Sequence, residues 1–290
     1  MNKSVVLALG FILSGAFISA QAFEKKAPED FDIGKKEIPH GKIDTIQYAS
    51  ATVGTTRKAL VYTPPGFKKS TQYPVLYLLH GIGGDEKEWF KNGVPQIILD
   101  NLYAKGKLSP MIVVLPNGRA MKDDRASGDI MAKDKVEAFA VFEKDLLNDL
   151  IPFVEKKYPV KKNRTDRAIA GLSMGGGQTL NFGLGNIDRF AWVGAFSAAP
   201  NTKEPQQLLP DPTKAKQLKL LWISCGDQDR LMPFSKRTSG YLTDHKIPHI
   251  FYVEPGGHDF KVWKNDLYLF SQLLFKPVNQ EDINRTLKSE

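Results

Sequence analysis

A serine flanked by glycines, in Gly171-Leu172-Ser173-Met174-Gly175, is the part of this sequence best suited to chemistry. Residues 167–170 predict the end of a buried strand, and the small residues at 175–180 predict the start of a packed helix. Gly-x-Ser-x-Gly at a strand-to-helix turn is a nucleophile elbow, in which the glycines prevent a collision with neighbouring elements. Such a turn exposes the Ser173 hydroxyl and aims the first N–H groups of the helix toward it. The sequence therefore predicts nucleophilic catalysis, which also needs a base, an acid and an oxyanion site.

Five histidines are candidates for the base, and their surroundings separate them. His258 follows the last predicted strand, and the paired glycines before it let the chain turn sharply over the end of a sheet. We therefore predict that His258 is the general base. The others are His40 in the N-terminal lead-in, His80 after an earlier strand, and His245 and His249, which flank Pro248 in a segment predicted to lie on the surface.

The acid must hold the imidazole in its proper tautomer and stabilise the imidazolium. The strand predicted at 218–224 runs into a turn that carries two carboxylates, Asp227 and Asp229. Both lie between Ser173 and His258, in the order serine, acid, histidine that accompanies a nucleophile elbow. Turn geometry alone leaves the two as alternatives, because Asp227 could equally cap the turn.

The loop after the strand predicted at 75–79 supplies a second oxyanion donor. In His80-Gly81-Ile82-Gly83-Gly84 the glycines permit N–H groups to turn inward, so the Ile82 N–H should join that of Met174. His80 is expected to orient this loop. The predicted chemistry uses neither a cofactor nor a metal ion.

Two tryptophans are predicted to contact substrate. Together with Ile82 and Met174, Trp89 and Trp263 could form an apolar slot for an aromatic acid near Ser173. Core packing is the alternative for Trp89.

Strands and helices alternate along the chain, which predicts a mostly parallel sheet covered by helices on both faces. We expect an antiparallel hairpin at 43–50 and 56–62, followed by strands at 75–79, 111–115, 167–170, 191–196, 218–224 and 250–253. Helices are expected at 94–105, 136–157 with a kink at Pro152, 175 onward, 233–245 and 260–275. Ligands bind such sheets at the carboxyl ends of the strands.

Two long polar segments, 119–135 and 199–216, follow strands beside the elbow and are expected to form the walls that select substrate. Residues 23–40 predict an extended lead-in, and the polar residues from 277 onward predict a frayed end.

The first residues indicate export. Lys3, an apolar run at 5–20 and Ala20-Gln21-Ala22 predict a signal peptide over 1–22, with one catalytic domain over 23–290. The apolar run is short for a membrane span, which favours cleavage over anchoring. Cys225 is the only cysteine, so the chain has no internal disulfide, and export without disulfides points to a bacterial envelope or exterior.

The net charge of +8 comes from scattered lysine pairs rather than one basic stripe. Nucleic acid is therefore not an expected partner, and neither is a membrane once the signal peptide is removed. The length of 290 residues with 42% hydrophobic content suits one large α/β domain. The oligomeric state is not indicated.

Four motifs in order carry a family resemblance. They are Tyr77-Leu78-Leu79-His80-Gly81-Ile82-Gly83-Gly84, Ala170-Gly171-Leu172-Ser173-Met174-Gly175-Gly176, Cys225-Gly226-Asp227-Gln228-Asp229 and Gly256-Gly257-His258-Asp259-Phe260-Lys261-Val262-Trp263. Over about residues 43–275 the chain resembles the esterase D-like α/β-hydrolases, and within them the feruloyl and acetylxylan esterases of carbohydrate esterase family one.

The resemblance implies an α/β-hydrolase fold and assigns the acid to the last residue of a Gly-x-x-Asp turn, which is Asp229. It also implies secreted cleavage of feruloyl or acetyl groups from ester-substituted plant cell-wall polysaccharide. Members are often joined to a xylanase or a carbohydrate-binding module, for which this chain has no room. Relatives hydrolyse siderophore esters, transfer acyl groups or cleave S-formylglutathione, and the signal peptide argues against this last, cytosolic activity. A non-catalytic binding protein is disfavoured because all parts of the catalytic constellation are present.

Overall fold

Eight strands form one sheet in the computed structural model, which describes residues 23–288. The strands are β1 (Lys42–Ser50), β2 (Thr55–Thr63), β3 (Val75–Leu79), β4 (Ile112–Pro116), β5 (Arg167–Leu172), β6 (Trp192–Phe196), β7 (Leu220–Gly226) and β8 (Ile250–Glu254). Their order is β1-β2-β4-β3-β5-β6-β7-β8, with β1 and β2 antiparallel at one edge and β3 to β8 parallel. The predicted parallel sheet and edge hairpin are confirmed. The predicted signal peptide lies outside the described residues.

Eight α-helices accompany the strands in residues 23–288. They are α1 (Pro95–Ala104), α2 (Lys133–Asp145), α3 (Ile151–Lys157), α4 (Met174–Gly185), α5 (Pro205–Leu208), α6 (Met232–Asp244), α7 (Phe260–Leu273) and α8 (Gln280–Lys288). In the described part of the chain, no helix is both long enough and apolar enough to cross a membrane.

The central strand β3 explains why helices cover both faces of the sheet. Successive side chains of a strand point to opposite faces, and all five residues of β3 are buried. Val75, Tyr77 and Leu79 join a core formed with α2, α3, α4 and α6. Leu76 and Leu78 join a second core formed with α1, α7 and α8. Burying one large aliphatic side chain stabilises the fold by about 1.5–3 kcal/mol. Because β3 presents such side chains on both faces of the sheet, helices on both faces are needed to bury them.

The helix predicted at 136–157 is one continuous run of helical backbone whose winding changes in the middle. α2 begins earlier, at Lys133, a π-helical turn over Leu146–Leu150 follows it, and α3 continues to Lys157, with right-handed helical backbone at both junctions. Pro152 has no N–H to donate within the helix, and the wider turn lies directly before it. The predicted helix is therefore present, and its irregularity is a π-helical turn just before Pro152.

The prediction of a frayed C-terminal end was wrong. Residues 280–288 form α8, and the Gln280 side-chain carbonyl accepts a hydrogen bond of 2.9 Å from the buried Leu221 N–H of β7. Ile283 and Leu287, four residues apart, pack on the second core, which is formed with α1 and α7. Two apolar residues in a polar segment were too few to indicate a helix.

The N-terminal lead-in, predicted to be extended, lies across α1 and α7. The side-chain N–H groups of Asn101 donate to the carbonyls of Phe31 and Ile33, each at 2.9 Å. The Phe31 ring meets the ring of Tyr268 edge-on, with centroids 5.4 Å apart. This segment therefore ties two helices of one face together.

Candidate active site

Ser173 occupies a strained turn between β5 and α4. Its φ is 52° and its ψ is −118°, a backbone conformation that costs a residue with a side chain about 1–3 kcal/mol. Three hydrogen bonds hold it. The Ser173 N–H donates to the Phe196 carbonyl at 2.9 Å, and the Ser173 carbonyl accepts from Gly177 at 3.0 Å and from Ala199 at 3.1 Å. The serine therefore sits at the carboxyl end of the sheet, as an elbow requires.

The two glycines of the motif are required by close approach. A Cβ at Gly171 would lie 2.7 Å from the backbone of Gly175, and a Cβ at Gly175 would lie 2.5 Å from the His80 carbonyl oxygen. Both clashes are with backbone atoms, which cannot swing aside. The sequence pattern thus reflects how tightly the elbow is set between β3 and α4.

The structure brings Ser173, His258 and Asp229 together in one hydrogen-bonded line. His258 Nε2 lies 2.9 Å from Ser173 Oγ, and His258 Nδ1 lies 2.7 Å from Asp229 Oδ2. The histidine side chain is 34% exposed, whereas the Asp229 carboxylate is fully buried. This is the geometry in which an imidazole can take a proton from a hydroxyl while a carboxylate steadies it.

The surroundings of Asp229 keep it ionised. Burial alone would raise the pKa of its carboxyl, yet hydrogen bonds from His258, the Leu231 N–H and the Ser197 hydroxyl hold that pKa below its usual value. The Leu231 bond measures 2.8 Å. An ionised acid is what a protonated imidazole needs as a partner.

Asp227, the alternative acid, has a different task. Its Oδ1 accepts from the Gly256 N–H at 2.9 Å, and its own N–H donates to the Glu254 carbonyl at 2.8 Å. These bonds join the turn after β7 to the loop that carries His258. The geometry therefore favours Asp229 as the acid, whereas Asp227 holds the two loops together by hydrogen bonds.

Sequence reasoning missed Ser197, which supports the acid from behind. Ser197 directly follows β6, has a φ of 49° and is fully buried. Its Oγ accepts from Trp263 Nε1 at 3.1 Å and donates to Asp229. The one feature of the sequence that could have indicated this role is a small polar residue directly after a buried strand.

The N–H groups of the two predicted oxyanion donors, Ile82 and Met174, have no partner within the described part of the fold. Met174 is the first residue of α4, so its N–H is among those that have no partner inside the helix. Among residues 23–288, neither the Met174 N–H nor the Ile82 N–H donates to another residue. Both donors are free to bind a developing negative charge.

Two side chains that the sequence reasoning missed hold the loop that carries Ile82. The buried Arg119 guanidinium donates to the Ile82 carbonyl and, at 3.5 Å, to that of Gly84. A Glu88 oxygen accepts the Gly81 N–H at 2.7 Å. With these groups bound elsewhere, the Ile82 N–H stays available for the substrate.

His80 orients the same loop, as predicted. Its Nδ1 lies 2.6 Å from the Gly81 carbonyl and its Nε2 accepts the Gly118 N–H at 2.8 Å. Nε2 also lies 3.1 Å from Asn117 Oδ1. Burial lowers the pKa of His80, which favours the neutral ring. His80 is therefore a structural link between the loops after β3 and β4.

The structure corrects the assignment of both tryptophans as substrate contacts. Trp89 is 1% exposed, its Nε1 donates to the Leu79 carbonyl at 2.9 Å, and its ring meets those of Phe196 and Phe260. Trp263 is also buried, and its ring stands edge-on to the His258 ring with centroids 4.8 Å apart. Buried rings with bonded N–H groups offer no surface to a ligand, so these residues support the site from within.

A different set of residues forms an apolar patch at the serine. Phe139, Met174 and Ala199 form a small buried cluster, which Ile82, Val136 and Leu231 extend toward the surface. Val136 comes from α2 and Leu231 from the turn after β7. Ile82 and Met174 were predicted from the sequence, whereas the other members were not, since their approach depends on how α2 and the segments after β6 and β7 pack. Within residues 23–288, no three His, Cys, Asp or Glu side chains are grouped so that they could hold a metal ion.

Comparison with known proteins places this site in context. The model of the Esterase family matches residues 50–270. An endo-1,4-beta-xylanase/feruloyl esterase of Xylanibacter ruminicola is 34% identical over 258 residues, which cover 86% of this chain and 33% of that protein. The chain thus spans about a third of this relative's length. An acetyl esterase of Caldicellulosiruptor saccharolyticus is 25% identical over 67% of this chain and 80% of its own length.

A solved structure shares the fold over nearly the same extent. The ferulic acid esterase of Anaeromyces mucronatus, from carbohydrate esterase family one, superposes with a TM-score of 0.76 at 25% identity. The match covers 89% of this chain and 99% of the fungal one. An S-formylglutathione hydrolase of Staphylococcus aureus matches with a TM-score of 0.65 at 25% identity, over 83% of this chain and 98% of its own.

The two carboxylates of the turn after β7 provide a matched pair for testing the site. We expect Asp229→Asn to lower kcat for ester hydrolysis by about 10³ to 10⁴, because the amide cannot hold the reactive tautomer of His258. Asp227→Asn should cost far less, since it weakens only the contact between two loops. Steady-state kinetics on one soluble ester, with circular dichroism to verify folding, distinguishes them. The reverse ranking would move the role to Asp227.

Proposed function

This chain belongs to the Esterase family, and from that premise we propose that it is a serine ester hydrolase. We propose that it releases feruloyl or acetyl groups from polysaccharide such as xylan. The observation that carries the proposal is the Ser173, His258 and Asp229 line, with two unpartnered N–H groups beside it. The xylanase/feruloyl esterase and the acetyl esterase among its relatives support the substrate class.

The proposed reaction passes through an acyl-enzyme. Ser173 Oγ attacks the ester carbonyl carbon while His258 Nε2 takes the hydroxyl proton, and the Ile82 and Met174 N–H groups bind the resulting oxyanion. As the intermediate collapses, His258 returns the proton to the departing sugar oxygen, leaving the acyl group on Ser173. Water then attacks the acyl-enzyme with His258 again as base, which frees the acid and restores the serine.

A fluorophosphonate probe tests the nucleophile. We expect it to label Ser173 alone, because His258 activates only this hydroxyl, and Ser173→Ala should abolish labelling and lower turnover by about 10³-fold or more. Peptide mass spectrometry locates the label. Modification of any other residue would contradict the assignment of Ser173.

The apolar patch favours feruloyl over acetyl as the acyl group. An aromatic acid needs an apolar surface to bind its ring, and Ile82, Val136 and Leu231 offer one next to the serine. An acetyl group needs almost no pocket. We therefore propose that the protein acts as a feruloyl esterase, with acetyl ester hydrolysis as the alternative.

Methyl ferulate tests this preference. Its kcat/KM should exceed that of a short aliphatic methyl ester by at least about tenfold, which is about 1.4 kcal/mol of transition-state binding. Val136→Ala should reduce this ratio, because it removes apolar surface from the patch, whereas Val141→Ala on the exposed face of the same helix should not. Efficient hydrolysis of acetylated xylan without hydrolysis of methyl ferulate would replace the feruloyl assignment by an acetyl one.

We also propose that the protein is exported and cleaved after Ala22, as the composition of residues 1–22 indicates. Sequencing of the N-terminus of protein recovered from the native envelope or medium should begin at Phe23. Recovery of the uncleaved chain in a membrane pellet would instead indicate an anchor.

A further inference from the structure

A polar groove of about 370 Å³ borders the loop that carries the oxyanion donor Ile82. It lies between the segment after β3 and the segment after β4, and neither the triad nor the apolar patch contributes to it. Its polar lining consists of Asp85, Glu88, Lys91, Asn92, Arg125 and Ser127. Its volume is within the range of about 300–1,000 Å³ that small-molecule clefts occupy.

Glu88 connects this groove to the catalytic serine. One of its carboxylate oxygens accepts the Gly81 N–H at 2.7 Å, and a Cβ built on Gly81 would lie 3.5 Å from the Ser173 Cβ. Gly83, two residues farther along the loop, lines the groove, and a Cβ built there meets no atom within 4 Å. Gly81 therefore binds Glu88 of the groove through its N–H and lies beside Ser173.

The groove offers hydrogen-bonding groups that nothing in the fold uses. Among residues 23–288, the side chains of Lys91, Asn92 and Ser127 make no hydrogen bond with another residue. An ammonium, an amide and a hydroxyl together provide donors and acceptors of several kinds. The charged lining residues comprise two acidic and two basic side chains, so the lining has no net formal charge.

Arg125 gives the groove a fixed wall. Its guanidinium donates to Asp85 at 3.1 Å, to Glu86 at 3.0 Å and to Asp124 at 2.8 Å, which joins the segment after β4 to the segment after β3. A guanidinium held by three carboxylates loses little further freedom when a ligand binds. A wall ordered in advance is characteristic of a binding site rather than of a loose surface.

We propose that this groove binds the sugar ring of the substrate, a neutral polyol to which the acyl group is esterified. The proposal rests on the proposed esterase function. A neutral polyol matches a lining that pairs donors with acceptors and carries no net charge, whereas an anionic or apolar alcohol does not. Ile82 divides the two halves of the substrate, since its side chain extends the apolar patch while the glycines after it line the groove.

Two ferulate esters with different alcohols test the groove. For the wild-type protein we expect kcat/KM on feruloyl arabinose to exceed that on methyl ferulate by about tenfold. Lys91→Ala combined with Asn92→Ala should lower this ratio at least about fivefold, mainly through KM, because bonds to the sugar form already in the ground state. The matched control is Lys87→Ala, an exposed lysine of the same segment that lies outside the groove, which should keep the wild-type ratio.

The outcomes separate this inference from the proposed function. If the wild-type protein hydrolyses neither ester, the feruloyl esterase function itself fails. If it hydrolyses both but the double variant keeps the wild-type ratio, the sugar binds elsewhere and the groove assignment is overturned. An equal loss on both esters also overturns it, because the two side chains would then act on the common acyl half. A further Ser127→Ala substitution should lower the ratio again if the assignment is correct.

Discussion

The strained backbone of Ser173 is the constraint on which the remaining structure depends. A serine in this conformation loses about 1–3 kcal/mol relative to an ordinary turn, so neighbouring elements must hold it in place. The hydrogen bonds that hold the Ser173 backbone come from Phe196 at the end of β6, from Ala199 just after it, and from Gly177 in the first turn of α4. β5, whose residues are all buried, pairs with β3 on one side and β6 on the other, which fixes the carboxyl end of the sheet where Ser173 lies. The two hydrophobic cores thus support the site indirectly, by stabilising the turn that places the Ser173 hydroxyl beside the His258 imidazole.

The acid and the base reach the serine on two loops that are bonded to each other. In the turn after β7, the Asp227 N–H donates to the carbonyl of Glu254 at the end of β8 and the Gln228 N–H donates to that of Gly256. The Asp227 carboxylate accepts the Gly256 N–H in return. Behind them, Trp263 connects to Asp229 through Ser197. Most of this support consists of backbone groups and neutral side chains. Preorganised dipoles of this kind stabilise charge without adding a competing charge to the site.

The sequence allowed prediction of the parts of this site that are local in the chain. The elbow around Ser173 and the loop at Ile82 are short patterns whose geometry follows from glycine spacing, and the position of His258 followed from chain order. The choice between Asp227 and Asp229 was open from the residues alone, because it depends on the register of one turn against another loop. The placement of Trp89 inside the core could not be read from its neighbours, since an aromatic residue after a glycine-rich loop suits either environment. Arg119 acts across the fold and no local pattern marks it, whereas Ser197 is marked only by its place directly after a buried strand.

The close approach of backbone at Gly171 and Gly175 has a consequence for how this protein can diversify. Any side chain at these positions would collide with main-chain atoms, so the immediate surroundings of the nucleophile tolerate almost no variation. New preferences for acids or alcohols must therefore arise in the segments that surround the site, where α2 and the long loops after β3 and β4 lie. A scaffold of this kind separates a sterically constrained centre from a rim whose side chains have room to change. Selection can exchange one substrate for another without altering the reaction itself.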